Sequence, residues 1–96
     1  MNLYVILRRN GWSTPDELQA AARRSTEEGE RRSDEVRWIR SYVLAEQAGG
    51  FGTACVYEAV SPDAAREHAE AAGIPCDEVI EVAETVVARE DPVRTG

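Results

Sequence analysis

The side chains that could do chemistry concentrate in residues 36–59. There Trp38, Arg40 and Tyr42 occupy every second position, and Thr53, Cys55 and Tyr57 repeat the pattern after Gly49-Gly50. Successive side chains alternate across a strand, and a glycine-containing loop between two aromatic, β-branched segments predicts an antiparallel hairpin. The hairpin would gather both sets on one face. With Tyr4 and Arg8 from the first apolar segment and Glu81 from the last, the set suits an anionic aromatic or carboxylate ligand. A guanidinium pairs bidentately with a carboxylate and stacks on rings. The same residue types also suit a dimer interface, which is enriched in Tyr, Trp and Arg. Cys55 lies near arginines that would favour its thiolate, but no histidine is expected on that face to activate it.

A second constellation pairs Glu58 with His68, the only histidine. A carboxylate that orients an imidazole serves general bases and metal ligands, and it equally satisfies a buried polar pair. Both readings stand at this point. The chain has no GxGxxG, no P-loop and no HExxH, so no nucleotide cofactor is expected.

The composition bounds the partners. A chain of 96 residues makes one domain, with a core that leaves little stability to spare and so invites association. A net charge of -7 argues against a nucleic-acid backbone or an anionic membrane, and no apolar run is long enough to span a bilayer. The N-terminus places its short apolar run before Arg8 and Arg9, unlike a signal peptide. Cys55 and Cys76 fit no zinc spacing and read as free thiols of a cytoplasmic protein.

Four strands and two helices must position these groups. Residues 3–9 read as the first strand, with Tyr4, Ile6 and Arg8 on one face. Thr14-Pro15-Asp16-Glu17 is a capping box with proline at the first helical position, and Leu18, Ala21, Ala22 and Ser25 follow at helical spacing. Charge pairs four apart, such as Arg24 with Glu28, keep the exposed side solvated. After the hairpin, Ser61-Pro62 opens a second helix that Gly73 and Pro75 end; its buried stripe is Ala65, His68, Ala69 and Ala72. Residues 79–88 read as a last strand, with Ile80 and Val82 toward the helices and Glu81 on the mixed face. This gives a domain over residues 1–88 and a flexible tail over 89–96.

The order β-α-β-β-α-β is that of a ferredoxin-like α+β sandwich, a four-stranded antiparallel sheet with both helices on one face. The aliphatic residues are expected beneath the helices. The opposite face, with Tyr4, Ile6, Arg8, Trp38, Arg40, Tyr42, Cys55, Tyr57 and Glu81, is expected to be bare and to meet a second copy, as a sandwich or as a dimeric α/β barrel.

Residues 38–43 (WIRSYV), 55–59 (CVYEA), 72–75 (AGIP) and 79–82 (VIEV) resemble, in this order, a family of small domain-of-unknown-function proteins that includes nickel-binding, ferredoxin-like homodimers. The likeness spans nearly the whole chain. It implies a ferredoxin-like homodimer and a transition metal such as nickel; with the residue reading, the chain is expected to be a small cytoplasmic protein that binds a small molecule or such a metal, with Glu58 and His68 as the metal candidates. The alternative is a cofactor-free dimeric α/β-barrel enzyme, a monooxygenase, cyclase or isomerase, acting on an aromatic or polyketide-like substrate. Arg8 and Arg40 would then hold an anion, and Tyr42, Tyr57 or Glu81 would move a proton.

Overall fold

The computed structural model describes residues 1–93; the last three residues of the expected tail, 94–96, lie outside the described residues. In chain order the elements are β1 (Asn2–Trp12), α1 (Pro15–Arg31), β2 (Val36–Ala45), β3 (Phe51–Ala59), α2 (Pro62–Ala72) and β4 (Glu78–Glu81). They form a four-stranded sheet in the order β2-β3-β1-β4, with every neighbouring pair antiparallel. This is the ferredoxin-like sandwich. The last strand is shorter than the sequence suggests, because pairing with β1 stops at Tyr4 opposite Glu81.

Local chemistry accounts for the helix ends. The Thr14 hydroxyl accepts from the Glu17 amide at 3.2 Å, and the Glu17 carboxylate accepts from the Ser13 amide at 3.1 Å, one residue earlier than a strict capping box. For α2, the Ser61 hydroxyl caps the Ala64 amide. Gly73 then takes the left-handed conformation at φ 67°, and the Ile74 amide reaches back to the Ala69 carbonyl, closing the helix as a Schellman turn.

The sheet is placed on the helices by its larger side chains. Tyr4, Ile6, Cys55, Tyr57 and Ala59 are buried together with Val36, Ala64 and Ala65, and their alternates Leu3, Val5, Leu7, Ala54 and Val56 are only partly covered. The expected cover is therefore reversed for most of the sheet: Tyr4, Ile6, Arg8, Cys55 and Tyr57, expected on the bare face, lie beneath the helices, and the aliphatic alternates face outward. The reason lies in the helices, which present Ala21, Ser25, Ala64, Ala65, Ala69 and Ala72. Such small residues leave room that only long side chains fill at interior packing density.

Two irregularities shape the sheet. In β2 one extra residue stands between Trp38, opposite Tyr57, and Arg40, opposite Val56. That bulge turns Arg40 and Tyr42 to the uncovered face and brings Ser41 and Val43 to the helix side, which corrects the strict alternation expected for this strand. In β1 the register shifts between Arg8 and Trp12, with Asn10 at φ 51°. Glu46 clasps this bend, accepting from the Asn10 amide and from the Arg9 guanidinium at 2.8 Å. Gly52 passes so close to the Arg8 carbonyl and the Glu46 carboxylate that a Cβ would collide with both.

Candidate functional site

Between α1 and the sheet lies a cavity of about 110 Å³. Leu18, Ala21 and Ala22 form its helix wall, and Arg8, Cys55 and Tyr57 come from the two central strands. Its mouth is at the β2 edge, where Trp38 is 41% exposed while Tyr57, against which it stacks at 6.3 Å and 13°, is buried. The small residues of α1 that draw in large sheet side chains also leave this space unfilled.

Most polar groups around the cavity satisfy one another. Trp38 Nε1 donates to Ser41 Oγ at 2.8 Å, Ser41 Oγ donates to Cys55 Sγ at 2.9 Å, and Cys55 Sγ donates to Thr53 Oγ1 at 3.3 Å. Deeper, the Ser25 hydroxyl bonds the Tyr57 hydroxyl at 2.9 Å and His68 Nε2 at 3.2 Å. Burial and the loss of hydration for the phenolate hold the Tyr57 pKa above its ordinary value, which keeps it a neutral hydrogen-bonding group. Burial first, then the charges of Arg8 and Arg32, hold His68 below its ordinary value of 6.5.

Two buried groups are exceptions, His68, whose Nδ1 has no partner, and Arg8. Arg8 is 1% exposed, its Nε and Nη2 have no hydrogen-bond partner, and it belongs to none of the ion pairs among the described residues. Its guanidinium lies over the Tyr57 ring, 5.9 Å from Cζ to the ring centroid, and its charge acts on the Tyr57 phenol and on His68.

Of the residues expected to bind a ligand, Arg8, Trp38, Cys55 and Tyr57 line this cavity. Tyr4 is buried in the core. Glu81 pairs opposite Tyr4 and accepts from the Asn2 amide side chain at 3.1 Å, at an exposed rim. Arg40 and Tyr42 lie on the other face, where the Tyr42 hydroxyl donates to Asp91 at 2.8 Å. They border an open groove of about 610 Å³ beneath residues 85–91, with polar groups that are exposed to solvent. The two arginines therefore do not act on one ligand in one copy.

Glu58 and His68 are not brought together. Glu58 pairs opposite Leu3 and Arg37 on the uncovered side, while His68 is buried against Ser25 and Tyr57. Among the described residues no group of three or more His, Cys, Asp or Glu side chains assembles. Cys55 and Cys76 are both free. The sequence reading missed Ser25 as a partner and Ser41 as part of the cavity wall, while Thr53 lines it beside Cys55 and Tyr57 as alternation predicts. The signal was present in Ser25 and His68, polar residues on otherwise small, buried helix stripes that had to find partners across the interface.

With this geometry in view, the comparisons bear on lineage. A structure of SCO4226 from Streptomyces coelicolor A3(2) matches with a TM-score of 0.67 over 88% of this chain and 99% of that one, at 24% identity, so the two share the fold. A comparison with curated proteins found no match. The family model described as "Nickel responsive protein SCO4226-like" matches residues 4–82, from the first core tyrosine through the end of the sheet. The chain belongs to the SCO4226-like family of nickel responsive proteins.

Proposed function

We propose that this chain is a small cytoplasmic binding protein, without catalytic chemistry of its own, that takes a small molecule into the cavity beneath α1 and works as a homodimer. The observation that carries the reading is the preformed, mainly apolar cavity with few convergent polar groups, the usual anatomy of a small-molecule site. The groups that could act as nucleophile or base are engaged otherwise: Cys55 with Ser41 and Thr53, and His68 with Ser25. The dimeric α/β-barrel enzyme loses its basis, since the rings and guanidinium that would line the barrel lie mostly beneath the helices.

The homodimer draws support from the uncovered face. Ile39, Tyr42 and Ile80 are 49%, 42% and 44% exposed beside the partly covered Val5, Leu7 and Val56. Val86 and Val87, in a segment of strand-forming residues that joins no strand in one copy, are exposed as well. Nickel comes to this chain through its family's description. The residues of one copy do not fit a nickel centre, because Glu58 and His68 lie apart and His68 sits beside cationic side chains. A transition metal would have to draw donors from two copies.

Titrating small fragments into 15N-labelled protein tests the cavity reading: shifts confined to Ala21, Ala22, Trp38 and Val43 support it, and no saturable shift there overturns it. Elemental analysis of native protein prepared without metal resins, repeated on His68→Ala, tests the metal. Unchanged stoichiometry in the variant removes His68 from the donors.

A further inference from the structure

Arg8 specifies more than a generic cavity. Arginine stays protonated in proteins, so a buried guanidinium cannot escape the cost of burial by losing its charge. Here no carboxylate approaches it, and the nearby Tyr57 ring at 5.9 Å offsets only part of that cost. The two unpartnered nitrogens are Nε and Nη2, both closed to water, so a ligand in the cavity reaches them only when the side chains over them shift. Their N–H bonds project side by side from one edge of the guanidinium plane, the edge that a carboxylate engages through two parallel hydrogen bonds.

We propose that the cavity binds a small monocarboxylate with an apolar body, its carboxylate on the Nε–Nη2 edge of Arg8 and its body beneath Leu18, Ala21 and Trp38. The inference rests on the reading of this cavity as the ligand site and names the class of ligand. Charge selects a monoanion. The cavity holds one unpaired cation, and a second negative charge would be buried against apolar walls without compensation. Shape selects the body. A volume of about 110 Å³ is of the order that accepts a single ring or a short branched chain, as an apolar cavity of about 150 Å³ accepts benzene. The Trp38–Ser41–Cys55–Thr53 hydrogen bonds engage these wall groups with one another, so they do not draw the anion away from Arg8. Trp38, half-exposed and stacked on Tyr57, stands where a ligand enters.

The test compares benzoate, its neutral isostere benzamide and inorganic phosphate by calorimetry, with the Arg8 Nε–H resonance as a local reporter. Benzoate is expected to bind the native chain about tenfold or more tighter than benzamide, as charge-assisted hydrogen bonds imply, and to move the Arg8 Nε–H signal. In Arg8→Met the two probes should bind alike, and Arg8→Lys, which keeps the charge without the fork, should lose most of the preference. Thermal unfolding of both variants establishes that they are folded. Equal binding of benzoate and benzamide to the native chain would overturn the carboxylate while leaving the cavity a ligand site. Phosphate binding more tightly than benzoate would overturn the apolar body. Failure of all three probes to bind would overturn this inference and the cavity reading together.

Discussion

The two faces of this sheet are built from opposite materials. Beneath the helices lie Tyr4, Arg8, Thr53, Cys55 and Tyr57, joined to Ser25 and His68, while the face without a helix carries Leu3, Val5, Leu7, Val56 and Ile80. Polarity alone would assign them the other way round. The difference teaches that what goes beneath a helix is set by the shape of that helix as much as by hydropathy. Stripes of Ala and Ser bring the layers close yet leave gaps, and a tyrosine or arginine stem fills such gaps while its polar tip finds a partner.

The sharpest way to break this comparison is to truncate one isoleucine on each face. Ile6 is wholly buried, so Ile6→Ala should cost about 2–5 kcal/mol in urea unfolding. Ile80 is 44% exposed in one copy, and Ile80→Ala should cost under about 1 kcal/mol at low protein concentration. Equal losses from the two changes would mean that the uncovered face is as deeply packed in solution as the covered one. A loss at Ile80 that grows with protein concentration would be the signature of the homodimer.

Arg8→Met sharpens the same contrast from within the covered face. Removing a buried charge that has no partner, in favour of an apolar side chain of similar length, should stabilise the ligand-free protein by about 1–4 kcal/mol. Urea midpoints in buffer free of carboxylates measure it. A destabilised variant would show that Arg8 holds the fold instead of waiting for an anion.

How much of this could be read from the chain differs by level. Strand and helix order, both caps and the burial of His68 follow from local rules, since Thr14, Ser61, Gly73 and the spacing of the alanines act within a few residues. The co-facial grouping of Tyr4, Arg8, Cys55, Tyr57 and Trp38 also follows from alternation. Which face the helices cover does not, because it depends on complementarity between distant surfaces. Nor does the departure of Arg40 and Tyr42, since the extra residue at Ile39 is set by pairing with β3 and has no mark in the β2 sequence. The cavity was hidden for the same reason: Ser41 and Val43 reach it only because of that bulge.

A smaller effect is expected from pH. Burial and the charges of Arg8 and Arg32 hold His68 below 6.5 in the folded chain, so on acidification the unfolded chain takes up the proton first. Stability therefore falls as pH drops through the unfolded value near 6.5 and levels off once the folded imidazole also titrates. His68→Gln should be the less stable protein at neutral pH yet show a flatter dependence between about pH 7.5 and 5.5. Identical slopes in the two proteins would mean that His68 keeps an ordinary pKa in the folded chain.

The smallest effect should come from Tyr42, the ring that the bulge carries to the outer face. Its hydroxyl donates to Asp91, and that bond holds the phenol above its ordinary pKa. Asp91→Asn should therefore let Tyr42 ionise at lower pH, which ultraviolet titration of the phenolate detects against the more deeply buried Tyr57. Tyr42→Phe should barely change the stability of a single copy, because both partners are exposed and water replaces the lost bond. If two copies meet through this face, the same substitution acquires a concentration-dependent cost, since the hydroxyl and the Asp91 carboxylate are then desolvated together. The contrast between a silent Tyr42→Phe at low concentration and a costly one at high concentration would locate the contact on the aliphatic face. No change at any concentration would exclude Tyr42 from it.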